Sequence, residues 1–175
     1  MRLIWKSMNP TTRKAFGHLS PLLVAIALIG VGCLWSSKIK PKAWNVSITK
    51  NTESTIVVDL IGITEEEKPE WEGYPIDKYW TPGDQKRADA TDKWSKSLEM
   101  GKLETMDSKD EHWKKWLGRG VTHLLIIARL PGTHPPGPAD PRRKIISLDK
   151  GEWKGNTLEF EVRATGIRIL TPRKK

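Results

Sequence analysis

The chain has 175 residues and a formal net charge of +9, a size that suits one ordinary domain with an added targeting segment. Over most of the chain its 30 basic residues are interspersed with 21 acidic ones, whereas a nucleic-acid-binding face needs clustered basic residues. The composition therefore argues against nucleic-acid binding. The single cysteine, Cys33, excludes an intrachain disulfide and a cysteine-based zinc site.

The N-terminal segment has the layout of an export signal. Its basic residues are Arg2, Lys6, Arg13 and Lys14. An apolar run follows over residues 22–32, and small residues precede Cys33, as in a secretory signal peptide. A cysteine at this place resembles the lipobox of bacterial lipoproteins, in which the cysteine is lipidated and becomes the mature N-terminus. We therefore predict a signal peptide over residues 1–33, with lipidation at Cys33.

A membrane-spanning anchor is the alternative for this segment. Residues 19–37 carry no charge, and a spanning helix needs about 20 apolar residues. Both interpretations place the basic N-terminus inside and the following domain outside the cytoplasm, because basic flanks stay on the cytoplasmic side. Residues 34–42 are predicted to be a tether that carries a domain over residues 43–175.

Two strands are predicted directly after the tether. Residues 44–49 alternate between apolar and polar, which is the period of a half-buried strand. Residues 55–63 are rich in β-branched side chains and nearly continuously apolar, which predicts a strand covered on both faces. Turn-forming residues at 50–54 connect the two, so they are expected to start a sheet.

The middle of the chain mixes polar and aromatic residues. Residues 64–96 form a long connection whose spaced aromatics predict a packed segment, with a short helix over residues 76–80. Residues 98–105 are predicted to form a strand. Residues 110–117 are predicted to form an amphipathic helix with Asp110 as its N-cap.

The last part of the chain is rich in strand signals. The strongest covers residues 121–130, and five prolines in residues 131–141 then predict a stiff exposed loop. Further strands are predicted over residues 144–148, 157–163 and 166–170. About seven short strands predict a mainly β fold: a small two-sheet β-sandwich of transthyretin or immunoglobulin-like type with one or two short helices, preceded by the apolar segment.

No catalytic motif is recognisable. Gly-x-Ser-x-Gly and glycine-rich phosphate loops are absent, and His112, His123 and His134 lack metal-ligand spacing. Carboxylate pairs such as Asp84 with Asp89 occur, but a hydrolase needs its pair held in a pocket. We therefore predict no enzymatic activity, no metal and no cofactor, with an envelope hydrolase as the least favoured alternative.

The nine tryptophans leave two hypotheses open. Seven follow the targeting segment: Trp44, Trp71, Trp80, Trp94, Trp113, Trp116 and Trp153. Tryptophan supplies large buried area, so these residues are expected mainly in the core and as loop anchors. If several are exposed, they form an aromatic platform for a glycan or another ligand, or part of a protein-binding surface.

The order of these features resembles the type VI secretion outer-membrane lipoprotein family, TssJ. The features that carry the resemblance are the signal ending at Cys33, the strand at residues 56–63, the aromatic and acidic stretch at 79–84, the hydrophobic strand ending at 127–130, and the final β-ribbon. The resemblance implies a non-catalytic β-sandwich lipoprotein of the outer membrane that faces the periplasm. It also implies docking to the periplasmic domain of an inner-membrane secretion component, TssM.

In that family the contact uses the loop between the first two strands. Here that loop consists of Lys50, Asn51, Thr52, Glu53 and Ser54. Two alternatives remain: an inner-membrane single-pass protein with a periplasmic domain, and an anchored periplasmic sandwich that binds a glycan through exposed tryptophans.

Overall fold

A computed structural model describes residues 39–175, which form two four-stranded sheets and four short helices. The strands are β1 (Asn45–Asn51), β2 (Ile56–Ile63), β3 (Trp94–Leu98), β4 (Glu104–Met106), β5 (His123–Ala128), β6 (Arg143–Ser147), β7 (Thr157–Arg163) and β8 (Gly166–Ile169). The helices are α1 (Lys68–Gly73), α2 (Ile76–Tyr79), α3 (Gln85–Asp89) and α4 (Glu111–Gly118). The predicted mainly β, two-sheet fold is confirmed. The export signal and Cys33 lie outside the described residues.

The two sheets differ in their strand directions. Sheet one has the order β4-β1-β7-β8, and β1 pairs antiparallel with β4 but parallel with β7. Sheet two has the order β3-β2-β5-β6 and is antiparallel throughout. The chain passes from one sheet to the other between β1 and β2 and again between β3 and β4, so both connections lie at an end of the sandwich.

The space between the sheets holds the main hydrophobic core. Alternating side chains of β7 (Leu158, Phe160 and Val162) point into it, as their apolar and polar pattern predicts. Helix α4 contributes Trp113 and Trp116, which are both almost fully buried. Burying one large apolar side chain contributes about 1.5–3 kcal/mol, so this core is the main source of stability.

A second hydrophobic layer covers the outer face of sheet two. Ile61, Ile63, Leu125 and Ile127 project from β2 and β5 into this layer. They pack against Trp71, Ile76 and Tyr79 of the helical segment. The predicted strand at 55–63 is therefore covered on both faces, and residues 64–93 form a packed helical layer, which we call the helical cover.

Gly62 allows α4 to pack directly against β2. A Cβ atom at this position would lie 2.5 Å from Cγ of Trp116. The Trp116 ring is held in place, because its Nε1 donates a hydrogen bond of 3.0 Å to the carbonyl oxygen of Asp92. The missing side chain of Gly62 therefore makes the space that the indole ring fills.

A buried carboxylate fastens one side of the helical cover. Asp59 of β2 is fully buried. Its Oδ2 accepts hydrogen bonds from the Tyr79 hydroxyl (2.8 Å) and from Nε of Arg87 (3.0 Å), and its Oδ1 accepts one from the Ser95 hydroxyl (2.5 Å). Burial and the Asp59 charge raise the pKa of Tyr79, which keeps its hydroxyl a donor.

Two buried arginines fasten the other side. Nη1 of Arg143 donates to the carbonyl oxygens of Trp71 (2.5 Å) and Tyr74 (2.9 Å), and so binds the C-terminal end of α1 to β6. Arg142 pairs with Asp140 at 2.7 Å and also donates to Asp77. Hydrogen bonds to these two carboxylates raise the pKa of Arg142, although burial opposes them.

One predicted strand and the helix count need correction. The strand predicted over residues 98–105 is wrong: β3 ends at Leu98, β4 begins at Glu104, and a turn lies between them. In this turn the Lys102 N–H donates to the Glu99 carbonyl oxygen at 3.3 Å, and Gly101 has φ +74°. Residues 39–175 also contain four short helices instead of one or two, since α1 and α3 are present in addition to the two predicted helices.

Within residues 39–175, no helix is both long enough and apolar enough to cross a membrane.

Candidate docking surface

The predicted contact loop lies at one end of the sandwich. Strand register places the β1–β2 connection (residues 52–55) and the β3–β4 connection (residues 99–103) at this end, because Ile56 pairs with Leu98 and Ile48 pairs with Glu104. We call these two connections the loop end. Residues 39–44 lead into β1 at the opposite end of the sandwich, so the loop end lies at the far end of β1 from them.

The five predicted contact residues differ in their exposure. The Lys50 side chain is buried, and its Nζ donates to the carbonyl oxygen of Ser54 at 2.8 Å, which closes the loop. Thr52 is half-buried, whereas Asn51, Glu53 and Ser54 are exposed. The structure brings all five residues together, but it turns the Lys50 ammonium group inward. Any contact made by this loop therefore uses the exposed residues.

The β3–β4 connection adds an apolar element that the sequence interpretation missed. Met100 is 66% exposed and Leu103 is 53% exposed, and the third exposed large apolar side chain in the described residues is Leu170, at 41%. Lys102 lies between Met100 and Leu103, but its ammonium group pairs with Glu104 at 3.2 Å. Met100 and Leu103 thus place two exposed apolar side chains on one short connection, where one apolar partner surface could contact both.

A shallow groove extends the loop end. It has a volume of about 390 Å³ and runs from the β1–β2 connection to the start of the proline-rich loop. Its walls are formed by Ser54, Thr55, Val57, Arg129, Leu130 and Pro131. The loop end and the adjoining groove together provide a polar loop, a concave surface and two exposed apolar side chains.

A second cleft contains carboxylates that accept local hydrogen bonds. It has a volume of about 140 Å³ and lies between the helical cover, β2 and α4. Glu67 accepts a hydrogen bond from the Thr64 N–H at 2.8 Å, and Asp89 accepts one from Gln85 at 2.6 Å. Over residues 39–175, no group of three or more histidine, cysteine or acidic side chains is placed to hold a metal ion.

The carboxylate pair singled out in the sequence has a local structural role. Asp84 is the N-cap of α3, accepting from the Arg87 N–H at 2.8 Å, and it also accepts from the Tyr74 hydroxyl at 2.6 Å. Burial and the hydrogen bond to Asp84 raise the pKa of Tyr74 to about 12, so this hydroxyl remains a donor. Asp84 thus stabilises the helical cover through its two hydrogen bonds. Asp89 accepts its hydrogen bond from Gln85 within α3.

The three histidines are engaged on separate elements. His112 contacts its own helix cap, Asp110, at 2.5 Å. His123 of β5 is buried beside the hydroxyl of Thr122 at 2.9 Å. His134 contacts the carbonyl oxygen of Pro131 at 3.0 Å in the proline-rich loop.

The tryptophans occupy the core and not a platform. Six of the seven are buried, and Trp80 is half-buried. Nε1 of Trp44 donates to the Leu148 carbonyl oxygen at 3.1 Å, and Nε1 of Trp153 donates to that of Ser147 at 2.8 Å, so these rings anchor loops. Among residues 39–175, no exposed tryptophan is present to support the glycan-binding alternative.

Comparisons with known proteins bear on the fold. No family model and no curated protein matches the chain. A chain of a type VI membrane complex matches with a TM-score of 0.50 at 14% identity, covering 75% of this chain and 99% of that one. The C-terminal domain of the type VI secretion protein TssM from EAEC matches with 0.48 at 12% identity, covering 73% and 96%. Lip of Serratia marcescens, a membrane-bound component of the type VI secretion system, matches with 0.49 at 11% identity, covering 78% and 99%.

The matched chain of the type VI membrane complex shares the fold of this chain over nearly the whole of its own length. The resemblance to type VI secretion components that the sequence predicts is therefore confirmed at the level of the fold.

Proposed function

We propose that this chain is a non-enzymatic, membrane-anchored component of a type VI secretion membrane complex, and that its loop end docks a protein partner in the periplasm. The observation that carries the proposal is the exposure of Met100 and Leu103 beside the predicted contact loop. The fold shared with a chain of a type VI membrane complex supports the same assignment.

The proposed partner is the periplasmic domain of a TssM-like inner-membrane component. Met100 and Leu103 supply the apolar centre of the contact, and Asn51, Glu53 and Ser54 supply a polar rim. A protein interface commonly has an apolar centre that carries most of the binding energy and a hydrated polar rim. Burial of the exposed parts of these two side chains contributes about 2–4 kcal/mol before the costs of association are subtracted.

Attachment to the membrane is proposed to use a lipid on Cys33, with the domain on the periplasmic side of the outer membrane. Metabolic labelling with a fatty-acid probe tests this step. We expect the wild-type chain to be labelled and Cys33→Ala to lose the label. A label that persists in Cys33→Ala would contradict lipidation at this residue. Membrane association without a label would favour an uncleaved span in the inner membrane.

The docking step is tested with the purified periplasmic domain of the TssM-like protein from the same bacterium. We expect the double substitution Met100→Glu and Leu103→Glu to weaken its binding by about 100-fold, since charged side chains cannot replace the apolar contact. Binding is measured by calorimetry. Both residues are exposed, so thermal unfolding should be nearly unchanged and should separate lost binding from lost folding.

Leu170→Glu is the matched control for the docking test. Leu170 is also an exposed apolar residue, but its N–H donates to the main-chain carbonyl oxygen of Glu159 in β7, away from the loop end. We expect this variant to bind like the wild type. If the Met100 and Leu103 double variant also binds like the wild type, the loop end is not the docking surface.

A further inference from the structure

The end of the sandwich opposite the loop end is built from three distant parts of the chain. Residues 39–42, 148–156 and 171–174 meet there. Main-chain hydrogen bonds join them, from Lys150 to the Lys40 carbonyl oxygen (3.2 Å) and from Lys174 to that of Glu152 (2.7 Å). An isolated bridge between Trp153 and Arg173 adds a further link. We call these three segments the lysine end.

The lysine end concentrates positive charge. Its basic residues are Lys40, Lys42, Lys150, Lys154, Arg173 and Lys174. All of these side chains are exposed except that of Lys42, which is half-buried. The same segments contain two acidic residues, Asp149 and Glu152. Asp149 accepts a hydrogen bond from the Gly151 N–H at 2.7 Å, and Glu152 pairs with Arg173 at 3.1 Å.

The lysines at this end are close enough to influence one another. Nζ of Lys174 donates to the carbonyl oxygen of Lys150 at 3.0 Å, and Nζ of Lys42 lies 3.8 Å from the centre of the Trp44 ring. Partial burial lowers the pKa of Lys42, and repulsion from Lys174 and Lys150 lowers it further. The fold thus holds together like charges that repel one another, which is an arrangement that an anionic surface would stabilise.

The lysine end is also where the chain continues toward its proposed anchor. Ile39 lies in this end, and an extended chain spans at most about 3.5 Å per residue, so Ile39 lies within about 20 Å of Cys33. An anchor that continues as far as Ser37 would bring it closer still. In either case the connecting chain is short enough for the lysine end to reach lipid headgroups, where the attraction of a basic residue to anionic lipids extends over about one Debye length, or about 10 Å.

We propose that the lysine end rests on the anionic lipid surface of the membrane that anchors the chain, and so orients the loop end away from it. This inference rests on the membrane attachment in the proposed function. The partner is a bilayer with anionic phospholipid headgroups, and the contact is made by exposed side chains of three segments without insertion of apolar residues.

Lysine footprinting on the full chain tests the proposal. The chain is incorporated into vesicles of phosphatidylcholine alone or with about 30% phosphatidylglycerol, and its amines are acetylated with a membrane-impermeant reagent. Mass spectrometry then gives the rate at each lysine. We expect Lys150, Lys154 and Lys174 to react about three-fold more slowly on the anionic vesicles. About 0.5 M salt should remove the difference, because it screens the attraction.

Internal and variant controls make the test specific. Lys78, Lys96 and Lys102 are exposed lysines outside the lysine end, and their rates should not depend on the lipid. The triple variant Lys150→Glu, Lys154→Glu and Lys174→Glu should lose the protection of Lys40. A variant with the same change of charge at Lys78, Lys96 and Lys102 should keep that protection.

The possible outcomes separate the two proposals. Equal rates at the lysine end on both vesicles, with the chain floating with them, would overturn the lipid contact and leave the anchored docking protein intact. A chain that floats with neither vesicle would overturn the membrane attachment and, with it, the lipid contact. Protection confined to the lysine end and to anionic vesicles would support both the membrane attachment and the lipid contact.

Discussion

The two faces of sheet two are covered in different ways. The inner face packs against sheet one and α4 through apolar side chains whose shapes fit together, as Gly62 and Trp116 do. The outer face carries the helical cover, whose elements are short and which is fastened by buried charged groups, Asp59 and Arg143. The inner layer is therefore held by close packing, whereas the outer layer combines apolar packing with a few directed hydrogen bonds to buried charged groups.

This difference separates two kinds of vulnerability. A close-packed core is sensitive to a change of one methyl group, because its neighbours cannot move. A cover fastened by buried charges is sensitive to the loss of one partner, because the other charge is left uncompensated. The three predictions below test this distinction, beginning with the largest expected effect.

Gly62→Ala should break the inner layer. The new methyl group would lie 2.5 Å from Cγ of Trp116, a buried ring that is held by its hydrogen bond to Asp92. We expect a loss of at least about 3 kcal/mol in the free energy of unfolding, measured by urea denaturation. Gly118→Ala in α4 is the control, because its Cβ meets nothing within 4 Å. Similar losses in the two variants would show that space at Gly62 is not the cause.

Asp59→Asn should loosen the outer layer. The substitution keeps the shape but removes the charge that faces Arg87, and it places an amide donor among three donors. We expect a loss of about 3 kcal/mol. Hydrogen exchange should accelerate first in α1, α2 and α3. The control is Asp89→Asn, which alters an exposed carboxylate of the same cover. Uniform acceleration over both sheets would contradict a separately fastened cover.

His123→Gln should give the smallest effect and reveal how the outer layer responds to acid. Burial lowers the pKa of His123 from 6.5, although the charge of Glu65 opposes this shift. The unfolded chain therefore binds this proton more readily, so the wild type loses stability as the pH falls from 6.5 through the folded pKa. The charged groups around this histidine are Glu65, Lys68, Glu72 and Glu152.

Between pH 7 and pH 5, we expect the free energy of unfolding to fall less in His123→Gln than in the wild type. The difference should be less than about 1 kcal/mol. Urea denaturation at the two pH values measures it. An unchanged dependence in His123→Gln would show that this histidine does not couple folding to pH.

Much of the sheet structure could be predicted from local sequence patterns. The alternation in β7 and the continuous apolar runs of β2 and β5 each reflect which faces are buried, and the structure agrees. Helices α1 and α3 could not be found by periodicity, because each has fewer than two turns. A reciprocal capping pair, Thr64 with Glu67, does precede α1 and was available in the sequence as a local signal.

The candidate docking surface was only partly predictable. The contact role of residues 50–54 is predicted only from the resemblance to a family. The burial of Lys50 depends on its hydrogen bond to the carbonyl oxygen of Ser54, which no sequence pattern predicts. Met100 and Leu103 are missed because residues 98–105 are predicted to form one strand. Their exposure follows from a change of sheet between Leu98 and Glu104, with Gly101 at the turn.

The position of β1 has a mechanical consequence. Residues 39–44 lead into β1, and β1 lies inside sheet one, between β4 and β7, paired with β7 over all seven of its residues. A pull between residues 39–42 and the loop end would act along this strand. The hydrogen bonds on both sides are then loaded together in shear, instead of opening one after another as at a free edge. The chain thus enters the sandwich at an inner strand, which can bear tension without being peeled from an edge of the sheet.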